Sequence, residues 1–330
     1  MYIDYLKFRD PDDGMKLELI NGMLCNNRNG SSYPVVNGIP RFVTHKNYSD
    51  SFGLQWNEFR RTQLDSYSNT KITYDRLERC LQGHMKELSG KLVLEAGSGA
   101  GRFTEVLLEG GATVHSFDLS NAVDANYTNN SKSKNLILAQ ADIRKIPFEK
   151  NNYDYVICLG VLQHTPNPEE SMRCLYQMVK PGGFLVLDHY LFRLRNILPP
   201  PIGSANIVYR KIILMLPAKI QFRAVKFIVD ILFPVHWLFR KSNTVQRILR
   251  RVSPVHFYFK SLNLVSKNLC YEWALLDTHD STTDFYKHHR TLSQIRKYLD
   301  ILGASEISVR LGGNGIEAFC RKTVLHNGGL

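Results

Sequence analysis

Residues 91–121, KLVLEAGSGAGRFTEVLLEGGATVHSFDLSN, decide the fold of this 330-residue chain. An apolar run leads into a glycine-rich turn, an amphipathic helical pattern and a second apolar run that ends in an acid. Strand, helix and strand at this spacing predict a βαβ unit, whose two strands lie parallel in one sheet.

The same alternation continues toward the C-terminus. Three further apolar runs follow: NLILAQAD at 135–142, YDYVICLG at 153–160 and GFLVLDH at 183–189. A predicted helix at 291–302 and strands at 306–310 and 315–321 would complete the sheet. We therefore predict an α/β fold, a doubly wound Rossmann-like sheet of seven strands with an N-terminal extension and a helical insertion.

Changes of pattern divide the chain into five predicted segments. They are a turn-rich segment at 1–46, a helical cap at 47–90, a ligand-binding core at 91–189, a basic helical insertion at 190–290 and a closing helix with two strands at 291–330.

The turn after the first strand is rich in glycine, at Gly97, Gly99 and Gly101. Glycine tolerates positive φ and lets backbone amides approach a ligand closely at the carboxyl edge of a parallel sheet. Such turns occur in many nucleotide-binding proteins, so the turn alone is weak evidence, and a purely structural turn is the alternative.

Acidic residues make the pattern more specific. Asp118 ends the second strand, Asp142 ends the third, and Glu95 precedes the glycines. A carboxylate after the second strand accepts hydrogen bonds from ribose hydroxyls, whereas a dehydrogenase would have a GxGxxG turn with a pyrophosphate on the helix N-terminus. An acid before the glycines suits a ligand with an amino group and no pyrophosphate. The pattern favours S-adenosylmethionine over NAD.

Five stretches taken in chain order, LEAGSGAGRF, FDLS, AQADIRKIPF, YDYVICLGVLQHTPNPEES and MVKPGGFLVLD, resemble the successive motifs of class I S-adenosylmethionine-dependent methyltransferases. With the flanking stretches SFGLQWNEFRRTQLDS and WALLDTHDSTTDFYKHHRT, the chain resembles members that act in bacterial surface-polysaccharide and lipid modification, grouped loosely with quinone methyltransferases.

This resemblance implies a cofactor site of ten residues. The methionine part would contact Glu95, Gly97, Gly99 and Gly101, the ribose Asp118 beside Leu119, the adenine Asp142 and Ile143, and the region below the sulfonium Leu159 and Gly160. For Ile143 and Leu159 a role in the hydrophobic core is equally compatible with the sequence.

The stretch at 22–43, GMLCNNRNGSSYPVVNGIPRFV, resembles a small zinc-ribbon module. Such modules carry two CxxC pairs, because a tetrahedral structural zinc needs four ligands. Here Cys25 alone remains, with Arg28 at the spacing of a second cysteine. We predict a degenerate, metal-free module.

The loop after the fourth strand contains the candidate catalytic base, His164. A base is needed when the acceptor is a hydroxyl, and this loop is where donor and acceptor should meet. A structural loop histidine is the alternative. Acceptor-binding candidates are Trp56, Asp277, Tyr286 and His289, although Trp56 is equally compatible with a capping helix.

These residues predict methyl transfer. An RNA or protein acceptor is disfavoured, because the chain has LGVLQH where an NPPY-type motif would follow the fourth strand, and we expect no nucleic-acid partner. A small-molecule, saccharide or lipid-linked acceptor methylated on oxygen ranks first and a polyprenyl quinone second. An RNA or protein methyltransferase and a non-catalytic cofactor-binding subunit rank lower.

The net charge of +12 is confined to one segment. Residues 190–260 contain thirteen Lys or Arg and one acid, so 13 − 1 = +12 lies there and the rest of the chain is neutral. Basic amphipathic helical patterns within 205–252 suit peripheral contact with an anionic membrane. A cap over the acceptor site, with a solvated basic face, is the alternative, and both roles are compatible.

The six cysteines lie far apart in the sequence, and no N-terminal apolar stretch resembles a secretion signal. We expect reduced thiols and a cytoplasmic location, with peripheral contact at the inner membrane face if the basic segment binds lipid. No uncharged apolar run reaches the length that spans a bilayer.

Overall fold

The computed structural model describes residues 4–43, 53, 56–200, 202–264 and 266–324. Two compact units are present. The first comprises Met1–Asn47, Thr73–Leu191 and Tyr286–Leu330, and the second comprises Tyr48–Ile72 and Phe192–Phe285. The five segments predicted above remain a prediction about organisation along the chain.

Eleven strands are found in the described residues, all in the first unit. They are β1 Glu18–Ile20, β2 Met23–Cys25, β3 Ser32–Val36, β4 Ile39–Pro40, β5 Leu92–Ala96, β6 Thr113–Asp118, β7 Leu136–Gln140, β8 Tyr153–Cys158, β9 Val179–His189, β10 Ala304–Gly312 and β11 Gly315–Lys322. The first four form a small antiparallel sheet in the order β1-β2-β3-β4, and the other seven form the main sheet.

The α-helices of the described residues with defined bounds are α1 Asp65–Ser68, α2 Ile72–Leu81, α3 Arg102–Glu109, α4 Ala122–Asn130, α5 Pro168–Met178, α6 Leu194–Ile197, α7 Asn206–Ile213, α8 Ala218–Leu238, α9 Asn243–Val252, α10 Lys267–Thr283 and α11 Leu292–Ile301. Short 3-10 turns occur at Tyr5–Lys7, His84–Glu87 and Leu162–His164.

The main sheet has the order β10-β11-β9-β8-β5-β6-β7. Its five strands from β9 to β7 are parallel, and β11 and β10 add an antiparallel hairpin at one edge. The predicted doubly wound α/β class with seven strands is confirmed. The carboxyl ends of the parallel strands meet at one edge, where ligands of open α/β sheets bind.

Both faces of the main sheet are covered, which explains why its strands read as continuous apolar runs. Neighbouring residues point to opposite faces, so Val93 packs with α2, α3 and α4 while Leu94 packs with α5 and α11. The small N-terminal sheet joins the second of these faces through Phe8, Leu17 and Leu24, all fully or almost fully buried.

The second unit is helical and has a core of its own. Val225, Val229 and Phe233 of α8 pack with residues of α10 such as Trp273. Helix α8 continues through Pro234 to Leu238. No helix of the described residues combines the length and apolar character needed to cross a membrane.

Candidate active site

The glycine-rich turn between β5 and α3 lies at the carboxyl edge. The amides of Gly97 and Ser98 donate to the carbonyl of Phe117 at 2.8 and 3.1 Å, which joins the turn to β6. Gly97 has φ of +76°, and a Cβ there would lie 2.2 Å from Cγ2 of Val161. Glycine is therefore required at 97 by both backbone conformation and space.

Glu95, the next-to-last residue of β5, is an ionisable group in an almost fully buried position, with 2% exposure. The hydroxyls of Thr104 and Ser116 donate to its Oε2 at 2.5 and 3.0 Å, while Oε1 has no hydrogen-bond partner among the described residues. Burial raises the pKa of Glu95 to about 7. A cationic amino group at Oε1 would satisfy this oxygen and favour the ionised carboxylate.

Asp118 ends β6 beside the glycine turn. Its Oδ2 accepts from the amide of Gly99 at 2.9 Å, and its Oδ1 accepts from the amide and hydroxyl of Ser120 at 2.8 and 2.7 Å. Desolvation raises the pKa of Asp118 above its ordinary value. The carboxylate is thus held at the end of the second parallel strand. Leu119, the next residue, accepts from Gln140 through its carbonyl.

Asp142 and Ile143 lie in the loop after β7, two and three residues beyond its end at Gln140, so the prediction that Asp142 ends the third strand was wrong by two residues. The carboxylate of Asp142 is bound by Arg144, with Nε at 3.0 Å from Oδ1 and Nη2 at 2.7 Å from Oδ2. The side chain of Ile143 is 6% exposed and belongs to the hydrophobic core. Asp142 can accept from an adenine amino group only if it shares its oxygens with Arg144 or releases them.

Leu159 and Gly160 follow β8, and Leu159 packs in the core beneath the edge. Gly160 has φ of +80°, and its amide donates to Oδ1 of Asp188 at 2.5 Å. A Cβ on Gly160 would lie 3.7 Å from Nη2 of Arg76 and 3.9 Å from Nη2 of Arg102. Two guanidinium groups thus converge on the end of β8, the arrangement that binds a carboxylate or phosphate.

The buried Asp188 organises this end of the sheet. It is 1% exposed, near the end of β9, and pairs with the Arg76 guanidinium of α2. The side-chain amide of Asn314 also donates to it, at 3.3 Å. The pKa of Arg76 is raised, because attraction to Asp188 outweighs the effect of burial. Neither Arg76 nor Asp188 was predicted from the sequence, where Asp188 read as part of a core strand.

His164 lies in the 3-10 turn after β8 and is partly buried. Its Nδ1 is 3.3 Å from the carbonyl of Tyr286, and its ring meets that of Tyr190 edge-on with centroids 5.4 Å apart. The rings of Tyr190 and His289 are 5.9 Å apart, and Nζ of Lys287 lies 5.8 Å from the centre of the Tyr190 ring. The structure therefore brings His164, the Tyr286 backbone and His289 together within the first unit.

The remaining acceptor-side candidates, Trp56 and Asp277, belong to the second unit. Trp56 is half-buried in a helical segment. Nε2 of Gln63 approaches Oδ1 of Asp277 at 3.4 Å. No contact joins these two residues to each other among the contacts described.

Residues 94–187 match the family model described as a methyltransferase domain. This segment is a methyltransferase domain. The resemblance drawn from the motifs between Leu94 and Asp188 is thereby confirmed for the core of the chain.

The methyltransferase domain has a relative in the ubiquinone biosynthesis O-methyltransferase of Pseudomonas entomophila (strain L48). The two are 35% identical over 109 residues, which are 29% of this chain and 43% of that protein. A ubiquinone biosynthesis O-methyltransferase of Pseudomonas fluorescens (strain SBW25) is 34% identical over 102 residues. The chain thus spans less than half of the length of the curated relatives it matches.

Among solved structures, the chain is similar to the magnesium protoporphyrin IX methyltransferase of Synechocystis PCC 6803 with bound SAH. The TM-score is 0.44 at 15% identity, with 84% of this chain and 97% of that chain covered. A phosphoethanolamine N-methyltransferase 2 of Haemonchus contortus has a TM-score of 0.45 at 16% identity, with 85% and 47% covered.

The donor set of the methyltransferase domain fits S-adenosylmethionine. The unpartnered Oε1 of Glu95 suits its amino group, and the Asp118 carboxylate suits ribose hydroxyls. The hydroxyl of Ser98, 4% exposed, also has no partner among the described residues and lies in the same turn. Two buried polar groups without described partners, one near the end of β5 and one in the turn that follows it, indicate a polar ligand there.

Gln163 beside His164 is a second residue that the sequence did not single out. Its side chain is fully buried, and neither atom of its carboxamide has a hydrogen-bond partner among the described residues. Its backbone carbonyl accepts from the amide of His288 at 2.9 Å. A single glutamine in a loop carries no sequence signal, so only the structure identifies it.

The N-terminal segment of the chain has a polar cluster that joins two of its turns. Two residues separate Asp10 from Asp13 and Asn26 from Asn29, which is the spacing of a CxxC pair. The Asn26 amide donates to Oδ2 of Asp10 at 2.8 Å and to both oxygens of Asp13, and Asn29 donates to the same two carboxylates. Asn26 and Asn29 each follow directly after Cys25 and Arg28, the two positions that were compared above with a CxxC pair.

This cluster of Asp10, Asp13, Asn26 and Asn29 joins the two turns through hydrogen bonds. The side chain of Asp10 is 1% exposed, and hydrogen bonds from Asn26, Asn29 and backbone amides outweigh its burial and lower its pKa. No group of three or more His, Cys, Asp or Glu side chains suited to a metal occurs among the residues that the structure describes.

Proposed function

We propose that this chain is an S-adenosylmethionine-dependent methyltransferase that methylates an oxygen of a small-molecule, saccharide or lipid-linked acceptor. The observation that carries the proposal is the set of groups at one edge of the sheet. The buried Glu95 with an unpartnered oxygen, the glycine turn and Asp118 lie within the methyltransferase domain, and His164 follows the same edge.

When bound, S-adenosylmethionine supplies a methyl group on a positively charged sulfur. The protein's task is then to hold the acceptor oxygen in line with that methyl carbon, at about 3 to 3.5 Å, and to exclude water. Glu95 binds the amino group and Asp118 the ribose. Arg102, whose guanidinium lies beside Gly160, is suited to the carboxylate of the same ligand.

His164 is proposed as the general base. Its Nδ1 faces the Tyr286 carbonyl at 3.3 Å, and a carbonyl oxygen can only accept, so Nδ1 carries the proton and donates it to that bond. Nε2 then carries the lone pair of the neutral ring, with which it would take the proton of an acceptor hydroxyl. The buried carboxamide of Gln163 is available to orient the acceptor hydroxyl.

The second candidate is a polyprenyl quinone precursor as the acceptor. It is favoured by the 35% identity to the ubiquinone biosynthesis O-methyltransferase of Pseudomonas entomophila (strain L48) over 109 residues. An acceptor screen with methyl-labelled cofactor, comparing phenolic quinone precursors with sugars and lipid-linked sugars, separates the two candidates.

His164→Ala tests the base. We expect turnover to fall by about 10² to 10⁴, the range for removal of a general base, with S-adenosylhomocysteine affinity unchanged. The wild-type rate should rise with pH as the proton that blocks the base is lost, and this rise should be absent in the variant. His84→Ala is the matched control, because His84 packs on Phe319 outside the carboxyl edge.

Two results would contradict this role. A variant with near wild-type turnover would mean that alignment alone suffices or that His189 or His289 takes the proton. A joint loss of cofactor binding and of folded protein would mean that His164 is structural. Failure of the wild-type chain to bind S-adenosylhomocysteine at all would contradict the proposed function itself.

A further inference from the structure

The second unit exposes an unusual amount of apolar surface. Fifteen of the 26 exposed large apolar side chains in the described residues lie between 192 and 252, a stretch of 61 positions. Large contiguous apolar surfaces are rare on soluble monomers and mark sites of contact with a partner or a membrane. None of these fifteen residues was assigned to the proposed methyl-transfer site.

Helix α8 is apolar on two opposite sides. Val225, Val229 and Phe233 are almost fully buried in the core of the second unit. On the other side Phe227 and Leu238 are 65% and 71% exposed. Ile220 and Ile231 are exposed on the same side as Phe227 and Leu238. At about 100° of rotation per residue, these four positions fall within about 40° of one another around the helix axis.

Helices α7 and α9 add apolar side chains next to basic ones. In α9, Ile248 and Val252 are 58% and 63% exposed and are one turn apart. Arg247, Arg250 and Arg251 of the same helix are exposed, and none of the three forms a salt bridge with a described residue.

The charge of this surface is not compensated within the segment. Asp230 is the one acid among residues 190–260, and it already accepts from Nζ of Lys226 at 2.8 Å and from the Tyr271 hydroxyl at 2.5 Å. A second copy of the chain would bring an equal positive charge to the same face. An occupant that is both apolar and anionic is therefore the best match.

We propose that α7, α8 and α9 dock on the surface of an anionic lipid bilayer. The exposed apolar side chains enter the boundary between headgroups and acyl chains, and the arginines pair with lipid phosphates. The helices lie in the plane of the surface, since no described helix can cross a membrane. Nucleic acid also carries phosphates, but it has no acyl-chain region into which the exposed Phe, Ile and Leu side chains could insert.

The test is sedimentation of the full chain with vesicles of phosphatidylcholine alone and of phosphatidylcholine mixed with phosphatidylglycerol. We expect strong binding to the mixed vesicles, little to the neutral ones, and weaker binding as salt rises, because ions screen surface charge. A triple change of Arg247→Gln, Arg250→Gln and Arg251→Gln should lower the partition coefficient roughly fivefold per arginine, roughly 100-fold in all.

A second triple change, Phe227→Ser, Ile231→Ser and Leu238→Ser, should lower it by a similar factor. These side chains are outside the core, so the variants should fold, which circular dichroism and binding of S-adenosylhomocysteine would check. Matched controls are Ile301→Ser, at a position 67% exposed in the first unit, and the double change Lys132→Gln and Lys134→Gln. The controls should bind vesicles like the wild type.

Three results would overturn the proposal. Equal sedimentation with both vesicle types would exclude recognition of anionic lipid. Undiminished binding by either triple variant would exclude this surface. A wild-type dimer that the apolar variant converts to a monomer, with no vesicle binding, would show that a second copy covers the surface.

Discussion

Glu95→Gln removes a charge from a buried position while keeping the shape of the side chain. In the wild type, Oε2 accepts two hydroxyl bonds and Oε1 has no partner among the described residues. Glutamine can keep an oxygen toward Thr104 and Ser116 and turn its amide toward the ligand side. The folded protein therefore loses little, whereas the proposed contact with a cationic amino group is lost.

The expected effect on stability follows from the pKa of Glu95, about 7 in the folded protein against an ordinary 4.5. The folded state binds the proton more tightly, so the contribution of Glu95 to stability is greatest below pH 4.5 and declines until about pH 7. This difference corresponds to about 3 kcal/mol. Glutamine has no such dependence, so Glu95→Gln should gain about 2 to 3 kcal/mol relative to wild type between pH 5 and pH 8.

Denaturant unfolding of both proteins at the two pH values measures this gain, and calorimetry with S-adenosylhomocysteine measures binding. Wild-type affinity should rise up to tenfold per pH unit below about 7, because the ammonium group needs the ionised carboxylate. In Glu95→Gln, affinity should be at least tenfold weaker and independent of this pH range. Glu78→Gln is the control, since Glu78 is exposed. A stability difference that is the same at both pH values would refute the reasoning.

In thermal unfolding, Gly101→Ala should destabilise the fold by several kcal/mol, because φ is +87° and the Cβ would lie 2.2 Å from Oδ1 of Asn126. The control is Gly90→Ala, which has a similar φ but open space and should cost about 1 kcal/mol in the same assay. Asp118→Ala should weaken S-adenosylhomocysteine binding by 10-fold or more in calorimetry, and unchanged affinity would exclude the ribose contact. Asn26→Ala should cost about 1 to 3 kcal/mol by removing one of the two side-chain amides that Asp10 and Asp13 share, and metal analysis of the wild type should find no stoichiometric zinc.

Sequence patterns predicted the sheet and its order of motifs well. The apolar run that opens residues 91–121 is the strand Leu92–Ala96, and the predicted helix at 291–302 is Leu292–Ile301, with Thr291 and Gln294 forming a capping box. Strand periodicity, glycine turns and helix caps are local properties, encoded within a few neighbouring residues. The cofactor edge could be predicted for the same reason, since parallel strands bring their carboxyl ends together.

The partners of the site residues could not be predicted this way. Asp142 had the right position in the motif order, but Arg144 holds its carboxylate. In the N-terminal segment, Asn26 and not its neighbour Cys25 donates to Asp10 and so joins the two turns. Only the folded hairpins show which side chains face Asp10.

The sequence alone determined the fold class, the methyltransferase core and the order of the motif residues, of which Asp118 ends its strand as predicted. Tertiary structure decided how those residues are charged and oriented. Arg76 and Asp188 are 112 positions apart and His164 and Tyr286 are 122 apart, so no local pattern relates them. The buried oxygen of Glu95 likewise has meaning only in three dimensions, because desolvation depends on every element packed around the group.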